Sequence, residues 1–320
     1  MLKDGISVIV CCYNSAWIIE RCLTALVQQI VPDDLLWEVV VVDNNCTDNT
    51  ASIVLDFTKS HPYFNLRLVE EKQPGLLNAR KKGIKEVSYS ISIYCDDDNI
   101  LSKDYVAGMY EVMSNNSYIG AYGGMGVPEF LSDPDPIIKE FLPCYACGSQ
   151  DNNLMLFGAG LCIRTAVVKR IYETQHFYLS GRCGKKLLSG DDTELVVSIL
   201  LRGYEKGCSD NLKFIHVLPS QRLTQKYLFG MYKGFSMAYP ILMTMISILE
   251  KHSIIKALFY YFVCYIGIFR NILFLFTKRR KLLTYYYLYN VYAYHFWGWR
   301  KLHMVFMTCK NLKELKTIER

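Results

Sequence analysis

The chain has 320 residues, 51% of them hydrophobic, which supplies a sizeable core and excludes a low-complexity chain. Its net charge of +6 hides an asymmetry: residues 211–320 hold 17 Lys/Arg against 3 Asp/Glu, and residues 1–210 hold the other 19 against 27. An acidic body suits a metal-assisted site, a basic and aromatic tail suits an anionic surface, and no nucleic-acid partner is expected.

In chain order, "ISVIVCC" (Ile6–Cys12) is a continuous apolar run, as in a strand buried on both faces. "YNS" breaks it, and Ser15 can cap a helix running to about Gln29. "WEVVVVD" (Trp37–Asp43) is a second strand, "NNCTDNT" a turn, and a helix follows to about Thr58. "NLRLVEE" (Asn65–Glu71) is a third strand, Pro74-Gly75 opens the next helix, and "YSISIYCDDD" (Tyr89–Asp98) is a fourth strand. This alternation predicts βαβ units and a mostly parallel sheet flanked by helices. Ligands of such sheets sit beyond the carboxyl ends of the strands, where Asn14, Asp43 and Asp96–Asp98 all fall.

Further on, "AYGGMGVPEF" predicts a strand and a loop, and residues 133–153 a mobile excursion. "LMLFGAGLCIRTAVVKRI" predicts strand, Gly turn and helix, "SGDDTELVVSILLRGY" a helix ending at Gly203, and "LKFIHVLP" a short last strand. From about Gln225 the chain turns basic and aromatic. "ALFYYFVCYIGIF" (Ala257–Phe269) has 13 residues, short of the ~20 that span a bilayer. With "KRRK" (Lys278–Lys281) and the aromatic segment to Trp299, it suits helices lying in a headgroup region; a soluble helical subdomain or a homodimer interface would use the same residues. The expected division is 1–225 as the α/β domain and 226–320 as a helical extension. The twelve Cys show no regular spacing, and "CYAC" (Cys144, Cys147) lacks a second pair, so reduced thiols are expected. The N-terminus enters a strand directly, with no apolar stretch of signal length, so the body is expected to stay in the cytoplasm.

Five clusters carry chemistry. In "YCDDDNIL", Asp96 and Asp98 share a face if the chain stays extended, while Asp97 points away; such carboxylates suit Mg²⁺ or Mn²⁺, though a solvated turn also uses Asp. In "SGDDTEL", Asp191, Asp192 and Glu194 sit at a helix N-terminus, where the dipole keeps a carboxylate charged as a cap or as a general base. Asp43 can accept a hydrogen bond from a base or ribose, and Tyr13 can stack on a base. Gly75 allows close backbone approach, and Asn78, Arg80 and Lys81 near the helix start can meet a diphosphate or ribose. His216 can complete a metal site as a neutral imidazole, and Gln221 and Arg222 can meet phosphate.

The order of these parts resembles glycosyltransferase family 2: V-I-V-x-x-Y-N, V-V-D-N-x-x-T-D-x-T, P-G-x-x-x-A-R, D-x-D, G-A-G-x-x-x-R and G-D-D-x-E-L, over residues 6 to about 235. The resemblance implies an inverting nucleotide-sugar transferase of GT-A fold. It implies that Tyr13 and Asp43 hold the nucleobase with Asn14 near the nucleoside. Asp96 would contact the ribose, and Asp98 and Asp96 would ligate Mg²⁺ or Mn²⁺, with His216 completing the metal. Asn78, Arg80 and Asp97 stay on the donor side, Gly158 to Gly160 would line the acceptor side, and Asp192 would be the base. Two positions depart from the family: Asp191 stands where Glu is usual, so it can act in place of Asp192, and Cys11-Cys12 stands where Pro-Thr or Thr-Thr is frequent. The resemblance further implies a UDP-sugar donor, a glycan or lipid-linked acceptor, cell-surface polysaccharide synthesis and a place on the inner face of the cell membrane. The alternatives are a sugar-phosphate nucleotidyltransferase, which would need a Gly-rich loop where "CCYNSAW" stands, and a lapsed transferase that only binds.

Overall fold

A computed structural model describes residues 2–151, 156–184, 186–250, 254–272 and 278–315. Its elements in order are β1 (Lys3–Cys12), α1 (Ile19–Val27), β2 (Trp37–Asp43), α2 (Thr50–Ser60), β3 (Leu66–Glu70), α3 (Leu76–Glu86), β4 (Tyr89–Asp96), β5 (Asn99–Leu101), α4 (Tyr105–Asn115) and β6 (Ile119–Phe130). Then come α5 (Pro136–Lys139), a 3₁₀ turn (Leu142–Tyr145), β7 (Leu161–Arg164), α6 (Thr165–Thr174), α7 (Asp191–Leu201), β8 (Glu205–Leu218), α8 (Gln225–Leu249), α9 (Ile254–Ile272) and α10 (Lys278–Leu315). They form two compact units, one of residues 1–132, 142–176 and 204–219, the other of 133–141, 177–203 and 220–320.

The first unit holds an eight-stranded sheet in the order β3-β2-β1-β4-β7-β6-β8-β5. β3, β2, β1 and β4 run parallel, as the alternation predicts, while β7 pairs antiparallel with both β4 and β6. Ile6, Val8, Ile9 and Val10 of β1 are fully buried, which is why its sequence shows no polar alternation. Gly83 lets α3 approach β1 closely, since a Cβ there would lie 2.4 Å from Ile9 Cγ2. This is the mostly parallel, helix-flanked sheet that the alternation of strand and helix predicts.

Several boundaries differ from the sequence expectation. α1 begins at Ile19, not after Ser15, because the Ser15 hydroxyl bonds Asp97 and caps no helix. β4 ends at Asp96, and Asp97 and Asp98 form a turn, so the extended geometry assumed for an Asp96–Asp98 face does not persist. β6 is one continuous strand, and β8 starts at Glu205, because the two pair in parallel along most of their length. The excursion at 133–153 contains α5 and the 3₁₀ turn; its last two residues, and 154–155 of the next segment, lie outside the described residues.

The second unit is helical. α8 packs on α7, α9 and α10, burying Leu228, Met231, Ala238, Ile241 and Met245. Pro240 removes one N–H from the α8 ladder, and Trp297 Nε1 donates to the Met237 carbonyl in the preceding turn, 2.7 Å away. Gly298, at φ 67°, kinks α10. Among the described residues, no helix is long and apolar enough to cross a membrane.

Candidate active site

Within the first unit the carboxyl ends of β1, β2 and β4 lie side by side, with Cys12 paired to Asp43 and Cys11 to Asp96. Loops 13–16 and 44–49 follow β1 and β2 and are stapled to each other. Asn14 Oδ1 accepts from the Thr47 N–H (2.8 Å), Asp48 Oδ2 from the Ala16 N–H (3.0 Å), and Thr50 Oγ1 from the Ser15 N–H (2.8 Å). Asn14 itself sits in the left-handed region at φ 55°, which Asn tolerates better than most residues. Burial alone would raise the Asp48 pKa, but the hydrogen bonds from Thr50 and Ala16 hold it below the usual carboxylate range. Asp43 accepts from the Cys46 N–H through Oδ1 (2.8 Å), and the Tyr13 ring is half exposed beside these loops.

Asn44 is the residue that sequence reasoning passed over. Buried at the end of β2, it donates to the carbonyls of Glu71 (3.1 Å) and Gln73 (2.7 Å) and accepts from the Gly75 N–H (2.8 Å). It thereby holds the whole β3–α3 loop, and Gly75 takes φ 126° to enter α3. Asn44→Ala is expected to cost about 2–3 kcal/mol, from lost buried hydrogen bonds and backbone groups left unpaired. Denaturant unfolding measures this, and a change below half that size would mean the loop is held elsewhere.

The three acids of the β4 turn have three different environments. Asp96 is partly exposed, with Arg80 Nη2 3.9 Å away. Arg80 is itself buried, and its guanidinium lies 5.0 Å from the Tyr94 ring centroid. The structure therefore places the buried Arg80 within ion-pair distance of Asp96. Asn78, partly buried, donates to the Pro74 carbonyl (3.2 Å). Asp97 accepts the Ser15 hydroxyl and ties the β4 turn to the β1 loop. Asp98 is buried, with its Oδ1 3.3 Å from His216 Nε2.

His216 Nδ1 lies 2.6 Å from the Tyr145 carbonyl. A carbonyl only accepts, so Nδ1 carries a proton and Nε2 faces the carboxylate. Burial pulls the His216 pKa down, but the Asp98 carboxylate, with Cys147 adjacent, outweighs it and lifts the value to about 10. Nε2 therefore also carries a proton, which faces Asp98, and only loss of that proton would leave an imidazole nitrogen and a carboxylate oxygen 3.3 Å apart, free to share a cation. Imidazole nitrogen and carboxylate oxygen both suit Mn²⁺, and carboxylate suits Mg²⁺. Among the described residues no group of three or more His, Cys, Asp or Glu is arranged for a metal. The donor set fits an ion that completes its shell with substrate phosphates, the usual Mg²⁺ pattern.

Of the glycines at 158–160, Gly160 is buried at φ 67°, where a Cβ would lie 2.4 Å from the Tyr105 hydroxyl, and its carbonyl accepts that hydroxyl at 2.7 Å.

Asp191 and Asp192 belong to the second unit and open α7 after Gly190, which stands at φ 100°. Asp191 is buried against Gly181, where an added Cβ would lie 2.5 Å from its Oδ1. Asp192 is partly exposed, and its Oδ1 accepts from the Thr193 N–H (2.8 Å). Glu194 is fully buried and accepts from the N–H groups of Tyr178 (3.0 Å) and Leu179 (2.8 Å), fixing segment 178–179 to the helix. Gln221 and Arg222 lie in a short 3₁₀ turn, Gln221 exposed.

Residues 7–159 match the model described as "Glycosyl transferase family 2". A poly-beta-1,6-N-acetyl-D-glucosamine synthase of Staphylococcus epidermidis is 31% identical over 121 residues, 38% of this chain and 28% of that protein. The chain therefore matches well under two thirds of that relative's length. Among solved structures, mannosyltransferase PcManGT from Pyrobaculum calidifontis, in complex with GDP-Man and Mn²⁺, superposes with a TM-score of 0.54 at 17% identity over 94% of this chain and 90% of that one. S. aureus TarS 1-349 in complex with UDP gives 0.50 at 16% identity over 99% and 92%. At these identities the structural likeness shows the fold.

Proposed function

Since residues 7–159 match glycosyl transferase family 2, we propose that the chain belongs to that family and moves a sugar, with inversion, from a nucleoside-diphosphate sugar to a hydroxyl of a glycan or lipid-linked acceptor. A UDP-sugar is the first donor to test. The synthesis of a cell-surface polysaccharide is the setting, supported by relatives named for glycan synthesis. The observation that carries this reading is the placement of Asp43 and Asp96 at the carboxyl ends of the two parallel strands that flank β1, with Asp98 in the turn that follows, beside loops locked by Asn14, Asn44 and Asp48. Such an end binds a nucleotide, and a free diphosphate is what the reaction must leave there.

In this reading Tyr13 stacks on the base and Asp43 accepts a hydrogen bond from it, while Asn14 and Asn78 shape the nucleoside side. Asp96, within ion-pair distance of Arg80, meets the ribose, and Asp97 holds the β4 turn in place through Ser15. Asp98 and His216 would hold Mg²⁺ or Mn²⁺, which neutralises charge on the departing diphosphate when bound. Asp192 takes the proton of the acceptor hydroxyl as that oxygen bonds to the anomeric carbon and the bond from that carbon to the diphosphate oxygen breaks. One displacement inverts the centre and needs no protein nucleophile. Asp192 is preferred to Asp191 because it is partly exposed, whereas Asp191 is packed on Gly181. The basic, aromatic helices hold the protein on the inner face of the cell membrane, where lipid-linked acceptors lie.

The deciding assay supplies nucleotide sugars with a lipid-linked or oligosaccharide acceptor and identifies the nucleotide product. Nucleoside diphosphate released in step with a lengthened acceptor is the expected result. Pyrophosphate would mark a nucleotidyltransferase, and binding without turnover a lapsed enzyme.

A further inference from the structure

α9 has the wrong outer face for a helix exposed to water. Cys264, Gly267 and Asn271, at i, i+3 and i+7, are buried. A Cβ on Gly267 would lie 2.6 Å from the Tyr287 ring, so this side packs tightly on α10. The opposite side carries Phe259, Phe262, Ile266 and Phe269, all exposed, Phe269 to 70%. Their spacing of three and four residues makes one stripe, about 15 Å long at the helical rise. A surface helix should instead be polar outside. α10 carries a matching exposed row, Tyr285, Leu288, Tyr292 and Phe296. The helices meet where Tyr261 touches Tyr294, His295 and Trp299, with ring centroids 5.2, 5.9 and 5.5 Å apart. Arg270, Arg279, Lys281, Arg300 and Lys301 are exposed on the same two helices.

Charge selects what covers this surface. Residues 211–320 hold 17 Lys/Arg against 3 Asp/Glu. A symmetric pairing of two copies through this region would set cation against cation. An anionic bilayer instead offers phosphates to the arginines and lysines and acyl chains to the rings. Among the described residues no helix is long and apolar enough to cross a membrane. We propose that the Phe259–Phe262–Ile266–Phe269 stripe of α9 and the adjoining row of α10 insert into the headgroup–acyl boundary of an anionic membrane, with the flanking cations held at the phosphates. This deepens the membrane part of the proposed function and rests on it. The contact is more than electrostatic attachment: part of it is apolar and survives salt.

The test uses the full chain with vesicles of phosphatidylcholine, with and without phosphatidylglycerol, at low and high salt. The protein is expected to float with the anionic vesicles and to retain part of that binding at high salt. The double variant Phe262→Asp/Phe269→Asp is expected to lose about 100-fold in partitioning, roughly tenfold per ring. Both positions are exposed, so its melting temperature and nucleotide binding should match the parent. Equal flotation of parent and variant overturns the proposal, as does a parent that stays off anionic vesicles at low salt and instead forms a dimer that the variant breaks. Should the variant not fold, tryptophan quenching of the parent by brominated lipid decides: quenching supports insertion, and its absence overturns it. Nucleotide binding in the same samples reports on the transferase reading separately, so either idea can fail alone.

Discussion

Asp192→Asn is expected to lower kcat by about 10²–10⁴-fold, the range a positioned general base contributes. Asparagine keeps the size and the acceptor oxygen that takes the Thr193 N–H, and it removes only the basicity. Donor contacts are proposed for other residues, so donor affinity should change little. The loss should therefore fall on kcat rather than on donor KM. Steady-state kinetics with saturating donor provide the check. Turnover within a few-fold of the parent would remove Asp192 as the base, and the same loss in Asp191→Asn alone would transfer the role.

Glu194→Ala is expected to be the most destabilising substitution near the α7 start. The Glu194 carboxylate is fully buried and takes N–H groups from both Tyr178 and Leu179. Alanine leaves those donors without their acceptor, and hydrogen bonds to a charged group are the stronger kind. A loss of about 3–4 kcal/mol follows, a large fraction of the margin of a typical domain. Glu194→Gln keeps an acceptor of the same length and should recover part of it. Thermal or denaturant unfolding of both variants measures the difference. Equal and small losses would mean that segment 178–179 is held by its own packing.

The contrast between these two acids shows what the sequence disclosed. Continuous apolar runs such as Ile6–Cys12 and Trp37–Asp43 were legible because strands buried on both faces leave no polar alternation. Their carboxyl ends then located Asn14, Asp43 and Asp96–Asp98 on one sheet edge. Partners distant in sequence were not legible. Ser15 looked like a cap, yet its hydroxyl goes to Asp97, 82 residues away. Asn44 and Asp48 looked like turn filler, yet they fix other loops by hydrogen bonds that only the folded chain defines. Arg80 reads in the sequence as a residue near a helix start that can meet a diphosphate or ribose, and it is buried beside Tyr94 and Asp96. The first half of β8, "EKGCSDN", is too polar to announce a strand and forms one because β6 lies beside it. The two compact units are discontinuous in sequence, a grouping that a reading in chain order has no means to find.

Calorimetric titration of nucleoside diphosphates into the parent protein and Asp98→Asn, each with Mn²⁺ and with EDTA, tests the donor end directly. The account predicts that the parent binds one of UDP, GDP or dTDP at least tenfold more tightly with Mn²⁺, and that Asp98→Asn, still folded, loses that gain. Binding of the same strength in EDTA and in the variant would contradict it.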